Sequence, residues 1–211
     1  MLELVIFDND GVLVDSERLA NGVLSRLLTE CGLEMSEEEC IERFMGGSIG
    51  RVRREAERLL ERPLPGEFED DYHRAVLDGF RTSLRPVPGI EQALSALTIA
   101  TCVASSGTHE RIRLALEVTG LLPLFDGRVF SADDVARGKP HPDLFEHAAS
   151  VMGVAPAGCV VVEDSPLGVA AARAAGMRVV GYAAMTPTGA LADATAVISS
   201  MDELSDVLTA L

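Results

Sequence analysis

The apolar positions of this chain follow two rhythms. One is a set of short unbroken runs: Leu4-Val5-Ile6-Phe7, then 100–104, 159–162, 178–181 and 195–198. Runs of that length, ended by polar or turn residues, read as strands buried on both faces, as in parallel sheets. The other rhythm has the period of a helix and fills most of the gaps, at 91–97, 109–119, 144–152 and 166–175. A weaker strand pattern lies at 128–130. Strands alternating with helices predict a doubly wound, Rossmann-like α/β core built on a parallel sheet.

Residues 15–84 break the alternation. Leu19, Val23, Leu24, Leu27 and Leu28 recur at helical spacing, and no strand-like run interrupts them. Pro63 and Pro65 punctuate the middle, and Pro86-Val87-Pro88-Gly89 closes the stretch. The expected organisation is therefore a core made of residues 1–14 and 85–211, with a small helical domain, 15–84, inserted after the first strand. Within the insert, Arg51, Arg53, Arg54, Arg58 and Arg62 alternate with Glu55, Glu57 and Glu61, the pattern of a solvated, salt-bridged helix face.

Charge narrows the partners. Lys and Arg number 18 against 33 Asp and Glu, a net charge of −15 over 211 residues. So acidic a surface repels nucleic-acid backbones and anionic lipids, so neither is an expected partner. Phosphate chemistry would then need a local positive charge, from a metal or a placed cation. Lys139 is the only lysine; every other cation is an arginine. Cys31, Cys40, Cys102 and Cys159 form no C-x-x-C pair and have no histidine at zinc spacing, so they read as reduced thiols. With no signal peptide recognisable at the N-terminus, a cytoplasmic location is expected.

Four short segments carry candidate chemistry. Asp8-Asn9-Asp10-Gly11 follows the first strand, and residues two apart in extended backbone project to one side. Two carboxylates would then face the carboxyl edge of the sheet, where open α/β folds bind ligands. The alternative is a turn with helix-capping acids. Glu163-Asp164 brings two further acids to the same edge. Four clustered acids call for a cation, and oxygen-only donors suit Mg²⁺. Pro166 fits a first helical position, which leaves Ser165 as the cap and Asp164 available to bind. Ser105-Ser106-Gly107-Thr108 offers hydroxyls and amides for an anion, or simply an N-cap. Gly138-Lys139-Pro140-His141-Pro142-Asp143 aims the lone lysine from a proline-stiffened loop. His141 reads as a rim residue, and His73, His109 and His147 as structural residues without matching partners.

The order of these segments resembles that of the haloacid dehalogenase-like hydrolase superfamily, in the branch with a helical cap after the first strand. The resemblance rests on residues 7–17, on 138–143, and on Glu163-Asp164-Ser165-Pro166-Leu167-Gly168 running into 171–177. Within the superfamily the chain is similar to the β-phosphoglucomutase-like and 6-phosphogluconate phosphatase-like proteins. The resemblance implies a phosphatase for a small phosphate ester. Asp8 would attack phosphorus and become an aspartyl-phosphate, and Asp10 would protonate the leaving alcohol and then activate water. Mg²⁺ would be held by Asp8, the Asp10 carbonyl oxygen and Asp164, with Glu163 as a ligand or as a partner behind the ligands. Gly11, Ser105, Ser106 and Lys139 would bind the phosphoryl group, Lys139 also neutralising Asp8. The cap would close over the site and read the substrate through Met45, Gly46, Gly47, Ser48 and Arg51.

Departures from relatives narrow the reaction. Halide-removing members lack an acid at the position of Asp10. Phosphonate-cleaving members need a cap lysine, and this cap has none. Sugar-phosphate mutases carry a histidine where this chain has Ala20 and an arginine where it has Ile49. Hydrolysis of a sugar phosphate or sugar-acid phosphate, 6-phosphogluconate for example, is therefore the expectation. A hexose-phosphate isomerase is the nearer alternative and a phospho-aspartate receiver module the remoter one. A monomer is expected, because the cap must move.

Overall fold

The structure, a computed structural model, describes residues 2–44, 49–125 and 127–211. It divides into two compact units, one formed by the chain up to Val14 together with Arg85–Leu211, the other by Asp15–Leu84.

The larger unit contains, among the described residues, a six-stranded sheet: β1 (Leu4–Phe7), β2 (Ala100–Ser105), β3 (Val129–Ser131), β4 (Cys159–Glu163), β5 (Arg178–Tyr182) and β6 (Ala196–Ile198). All neighbours pair in parallel, in the order β3-β2-β1-β4-β5-β6. This is the Rossmann-like α/β architecture that the alternation predicts. The chain leaves β1 toward β2 and β3, then returns to the far side of β1 as β4. The reversal opens a crevice between β1 and β4 at their carboxyl ends. β1 is central, and Leu4, Val5, Ile6 and Phe7 are all fully buried. Each such side chain contributes roughly 1.5–3 kcal/mol of transfer free energy.

The smaller unit is helical: α1 (Ser16–Glu30), α2 (Glu37–Phe44), α3 (Ile49–Leu60) and α4 (Phe68–Ser83). Its own core joins Leu24, Leu28, Cys40, Phe44, Val52, Ala56, Leu64 and Phe68. Gly79 lets α4 approach α1, because a Cβ there would stand 2.8 Å from Leu19 Cδ2. Two arginines of α3 form ion pairs of the expected kind, Arg53 with Glu57 at 3.1 Å and Arg58 with Glu55 at 2.8 Å.

The remaining helices flank the sheet: α5 (Ile90–Ala96), α6 (His109–Val118), α7 (Asp143–Val151), α8 (Pro166–Ala174) and α9 (Leu204–Ala210). On one sheet face Ile6, Ala104, Val161 and Val179 cluster with Leu144 and Phe145 of α7 and with Val169 and Ala172 of α8. On the other, Phe7 meets Phe125 edge to face, ring centroids 6.3 Å apart. The four cysteines are free, and all but Cys31 are buried. No helix among the described residues is long and apolar enough to cross a membrane.

Candidate active site

Strand ends build the site. Asp8 is the residue after β1, and its N–H donates to Val162 O of β4 at 3.0 Å, so the carboxylate leaves from the crevice itself. The chain then turns tightly: Gly11 N–H donates to Val14 O (2.9 Å), while Leu13 and Val14 N–H donate to Asn9 O (3.0 and 3.1 Å). Gly11 holds a φ of +80°, which favours glycine. The Gly11 amide expected for a phosphate is turned inward to close this loop. Gly11 has a second role. A Cβ there would lie 2.1 Å from Asp164 Oδ2, so the bare glycine lets the Asp164 carboxylate rest against the Asp8–Asp10 turn.

Lys139 reaches the same point from the loop before α7. Its Nζ donates to Asp8 Oδ1 (2.5 Å), Glu163 Oε1 (2.7 Å) and Ala104 O (3.2 Å), which uses all three ammonium hydrogens. It also sits 4.8 Å from the centroid of the Phe145 ring. The three charged groups are nearly sealed from water: their side chains are 5% (Lys139), 9% (Asp8) and 1% (Glu163) exposed. Glu163 ends β4, and its Oε2 accepts from Ser165 N–H (2.7 Å) and Ser165 Oγ (2.9 Å). Both of its oxygens are thus engaged, one by Lys139 and one by Ser165. Of the two roles open to Glu163 in the sequence, this geometry suits the partner behind the ligands. Ser165 caps α8 by accepting from Gly168 N–H (3.0 Å), with Pro166 at the first helical position, as its place in the sequence predicts.

Charge follows from this geometry. Two buried carboxylates share one ammonium, so the trio carries excess negative charge. Burial pushes the Asp8 carboxyl up to about 7, against the pull of Lys139 and with the help of Glu163 and Asp10. Burial alone would lower the Lys139 ammonium, but the Asp8 and Glu163 carboxylates outweigh it and hold Lys139 above the ordinary lysine value.

Asp10 faces a partner that sequence reasoning missed. Arg111 of α6 donates from Nη2 to Asp10 Oδ1 at 2.9 Å, across 101 residues of sequence. Nothing local marks Arg111 among the seventeen arginines. Ser105, the last residue of β2, is buried and accepts from Gly107 N–H (3.1 Å), while Ser106 is exposed and Thr108 caps α6. The structure thus brings Asp8, Asp10, Gly11, Glu163, Asp164, Ser105 and Lys139 to one edge of the sheet. His109 departs from expectation: it has a partner, its Nε2 lying 2.8 Å from Asp134 Oδ1. Arg51 lies exposed on α3 of the helical unit, and Met45, Gly46, Gly47 and Ser48 fall outside the described residues.

The donor set can be tested for a divalent cation. No group of three or more His, Cys, Asp or Glu side chains among the described residues is arranged to enclose a metal by itself. Mg²⁺ does not need one, since it binds through one or two carboxylates with water, carbonyl and phosphate oxygens completing the shell. Asp8 and Asp164 provide two such carboxylates, one after β1 and one after β4, with Asp164 resting against the turn that carries Asp8. The four acids there outnumber the cations Lys139 and Arg111, and the donors are all oxygen. The residues fit a hard dication.

A Rossmann-like sheet with a buried carboxylate–ammonium centre at its switch point defines an α/β enzyme. Comparison with known proteins identifies the lineage. The family model of haloacid dehalogenase-like hydrolases matches residues 2–176. The 6-phosphogluconate phosphatase of Escherichia coli (strain K12) is 33% identical over 187 residues, covering 87% of this chain and 83% of that protein. A haloacid dehalogenase-like protein of unknown function from Agrobacterium tumefaciens superposes with a TM-score of 0.93 at 40% identity, covering 100% and 99% of the two chains. A family hydrolase from Deinococcus radiodurans, solved with bound phosphate and sodium, gives 0.89 at 31% identity over 99% and 96%. The chain belongs to the haloacid dehalogenase-like hydrolases.

Proposed function

We propose that this hydrolase is a Mg²⁺-dependent phosphatase of small phosphorylated metabolites, with a sugar phosphate or sugar-acid phosphate as substrate. The observation that carries the reading is the buried Lys139 ammonium bound to both Asp8 and Glu163 at the switch point of the sheet. An anionic nucleophile cannot approach an anionic ester unless cations lie beside both. Lys139 is fixed where it neutralises Asp8 and the incoming phosphoryl oxygens together. Relatives named as phosphatases of 6-phosphogluconate and fructose 1-phosphate support the substrate class.

In this reading an Asp8 carboxylate oxygen attacks phosphorus. The P–O ester bond breaks, and its electron pair leaves on the ester oxygen, which takes the proton of the Asp10 carboxyl. Water then attacks the aspartyl-phosphate and gives a proton back to Asp10. Asp8 is released as a carboxylate and inorganic phosphate departs. The Ser105 hydroxyl and the neighbouring amides, including that of Ser106, hold phosphoryl oxygens. Glu163 keeps Lys139 in place. Mg²⁺, held by Asp8, Asp164 and the Asp10 carbonyl oxygen, would supply the charge neutralisation that the carboxylates lack. The helical unit, residues 15–84, acts as the cap that excludes water and reads the substrate, with the segment around Met45–Ser48 and Arg51 as its contact.

The test is phosphate release from a panel of phosphorylated metabolites, with Mg²⁺ and with EDTA. Release with Mg²⁺, its loss in EDTA, and its loss in a folded Asp8→Asn variant are expected. Turnover by Asp8→Asn would reject Asp8 as nucleophile. Conversion of β-glucose 1-phosphate to glucose 6-phosphate without free phosphate would make the protein an isomerase.

A further inference from the structure

We propose that Arg111 is a positioning residue for Asp10: its guanidinium holds the Asp10 carboxylate in the orientation that proton exchange with the substrate requires. The inference rests on the acid–base role of Asp10 given above.

Both oxygens of the Asp10 carboxylate are engaged. Oδ1 accepts from Arg111 Nη2 at 2.9 Å, a charge-assisted bond of ordinary length. Oδ2 accepts from Asn9 Nδ2 at 3.4 Å, near the limit of a hydrogen bond. The pair is shielded, with Asp10 19% and Arg111 37% exposed by side chain, and the Arg111 Nε is itself buried.

Arg111 can serve this way because its origin is fixed. It stands in the first turn of α6, where its N–H donates to the Thr108 Oγ1 cap at 3.3 Å. The turn before it is pinned twice. Gly107 N–H donates to Ser105 Oγ (3.1 Å), and Ser131 Oγ donates to Gly107 O (2.7 Å). The strand end that bears Ser105 therefore also sets where the Arg111 fork begins. The Ser105 loop and the Asp8–Asp10 turn, remote in sequence, are linked by this ion pair as well as by Lys139, which donates to both Asp8 Oδ1 and Ala104 O. A misplaced general acid weakens proton transfer without altering how the phosphate is held.

The test compares Arg111→Gln, Arg111→Lys and Asp10→Asn in the full chain with Mg²⁺. Two esters are used: glycerol phosphate, whose alkoxide needs a proton to leave, and p-nitrophenyl phosphate, whose phenolate does not. Arg111→Gln is expected to lower kcat/KM for glycerol phosphate by about 10–100-fold and for p-nitrophenyl phosphate by less than about threefold, with KM little changed, because general-acid help matters only to the poor leaving group. Arg111→Lys, which keeps the charge, should recover part of the loss. A crystal structure of Arg111→Gln should show the Asp10 carboxylate displaced or in several rotamers. Equal losses on both esters with a raised KM would make Arg111 a phosphate ligand and overturn the proposal. Unchanged kinetics, or an Asp10 carboxylate left in place, would overturn it too. If Asp10→Asn itself spares glycerol phosphate, the acid–base role of Asp10 fails, a result separate from any loss in the Arg111 variants.

Discussion

Gly168 tests how tightly the site and the fold share parts. It is the third residue of α8, so alanine there would ordinarily strengthen the helix by up to about 1 kcal/mol. The structure predicts the opposite. An added Cβ would stand 1.7 Å from Glu163 Oε1, 1.9 Å from its Cδ and 2.5 Å from Oε2. The carboxylate must move, and its bonds to Lys139 and Ser165 move with it. Losing one charge-assisted hydrogen bond costs roughly 1.5–3 kcal/mol, and overpacking a filled site adds about 1–3 kcal/mol. Set against the helix gain, the net loss is about 2–4 kcal/mol, or about 5–15 °C in melting temperature for a chain of this size. Thermal melts followed by circular dichroism measure it. Gly189→Ala, exposed and with nothing within 4 Å of its Cβ, is the control and should change stability by less than about 0.5 kcal/mol. The decisive step is a double-mutant cycle. In a Glu163→Ala background the obstruction is gone, so Gly168→Ala should then be neutral or stabilising by up to about 1 kcal/mol. If Gly168→Ala melts like the parent, or if its effect adds fully to that of Glu163→Ala, the carboxylate is not the obstruction.

Three further outcomes follow from the same geometry. Lys139→Ala leaves two buried carboxylates without their ammonium and should destabilise the protein at neutral pH by about 3–5 kcal/mol, measured by urea denaturation. Lys139→Arg should also fail to restore phosphate release, because a planar fork cannot replace a point charge held by three acceptors. The raised Asp8 carboxyl gives metal-free protein a stability contribution that is full below pH 3.8, the ordinary value, and is lost as pH rises toward about 7. Metal-free protein should therefore be less stable at pH 8 than at pH 5. Each tenfold fall in proton concentration removes about 1.4 kcal/mol while the folded carboxyl keeps its proton and the unfolded one has lost it, and added Mg²⁺ should flatten that slope. Equal stability at both pH values without metal would contradict the excess negative charge. Gly11→Ala combines a strained φ of +80° with a Cβ 2.1 Å from Asp164 Oδ2, so it should lower both melting temperature and Mg²⁺ affinity, the latter read by calorimetry.

What is legible in the sequence is whatever sits at a strand end. Asp8 directly follows a fully apolar run, and Glu163 closes another, so periodicity alone brings them to one edge. Lys139 stands out because no other lysine competes with it. Contacts that depend on where a helix face points are not legible. Arg111 meets Asp10 only because α6 starts where the Ser105 turn puts it, and no local pattern encodes that register. His109 reads as a residue without a partner, yet Asp134 comes to it from the turn after β3. β3 itself reads weakly because it is a three-residue strand at the sheet edge, where neither length nor full burial builds an apolar run. Met45, Gly46, Gly47 and Ser48, on which substrate choice is expected to rest, lie outside the described residues.

Glu163 answers to two neighbours at once, the ammonium beside Asp8 and the serine that starts α8. A library randomised at Glu163, Lys139 and Gly168, and screened only for well-folded expression, should therefore return the natural residues without any selection for turnover. Directed evolution toward a new substrate has to leave this trio alone and draw its variation from elsewhere in the chain.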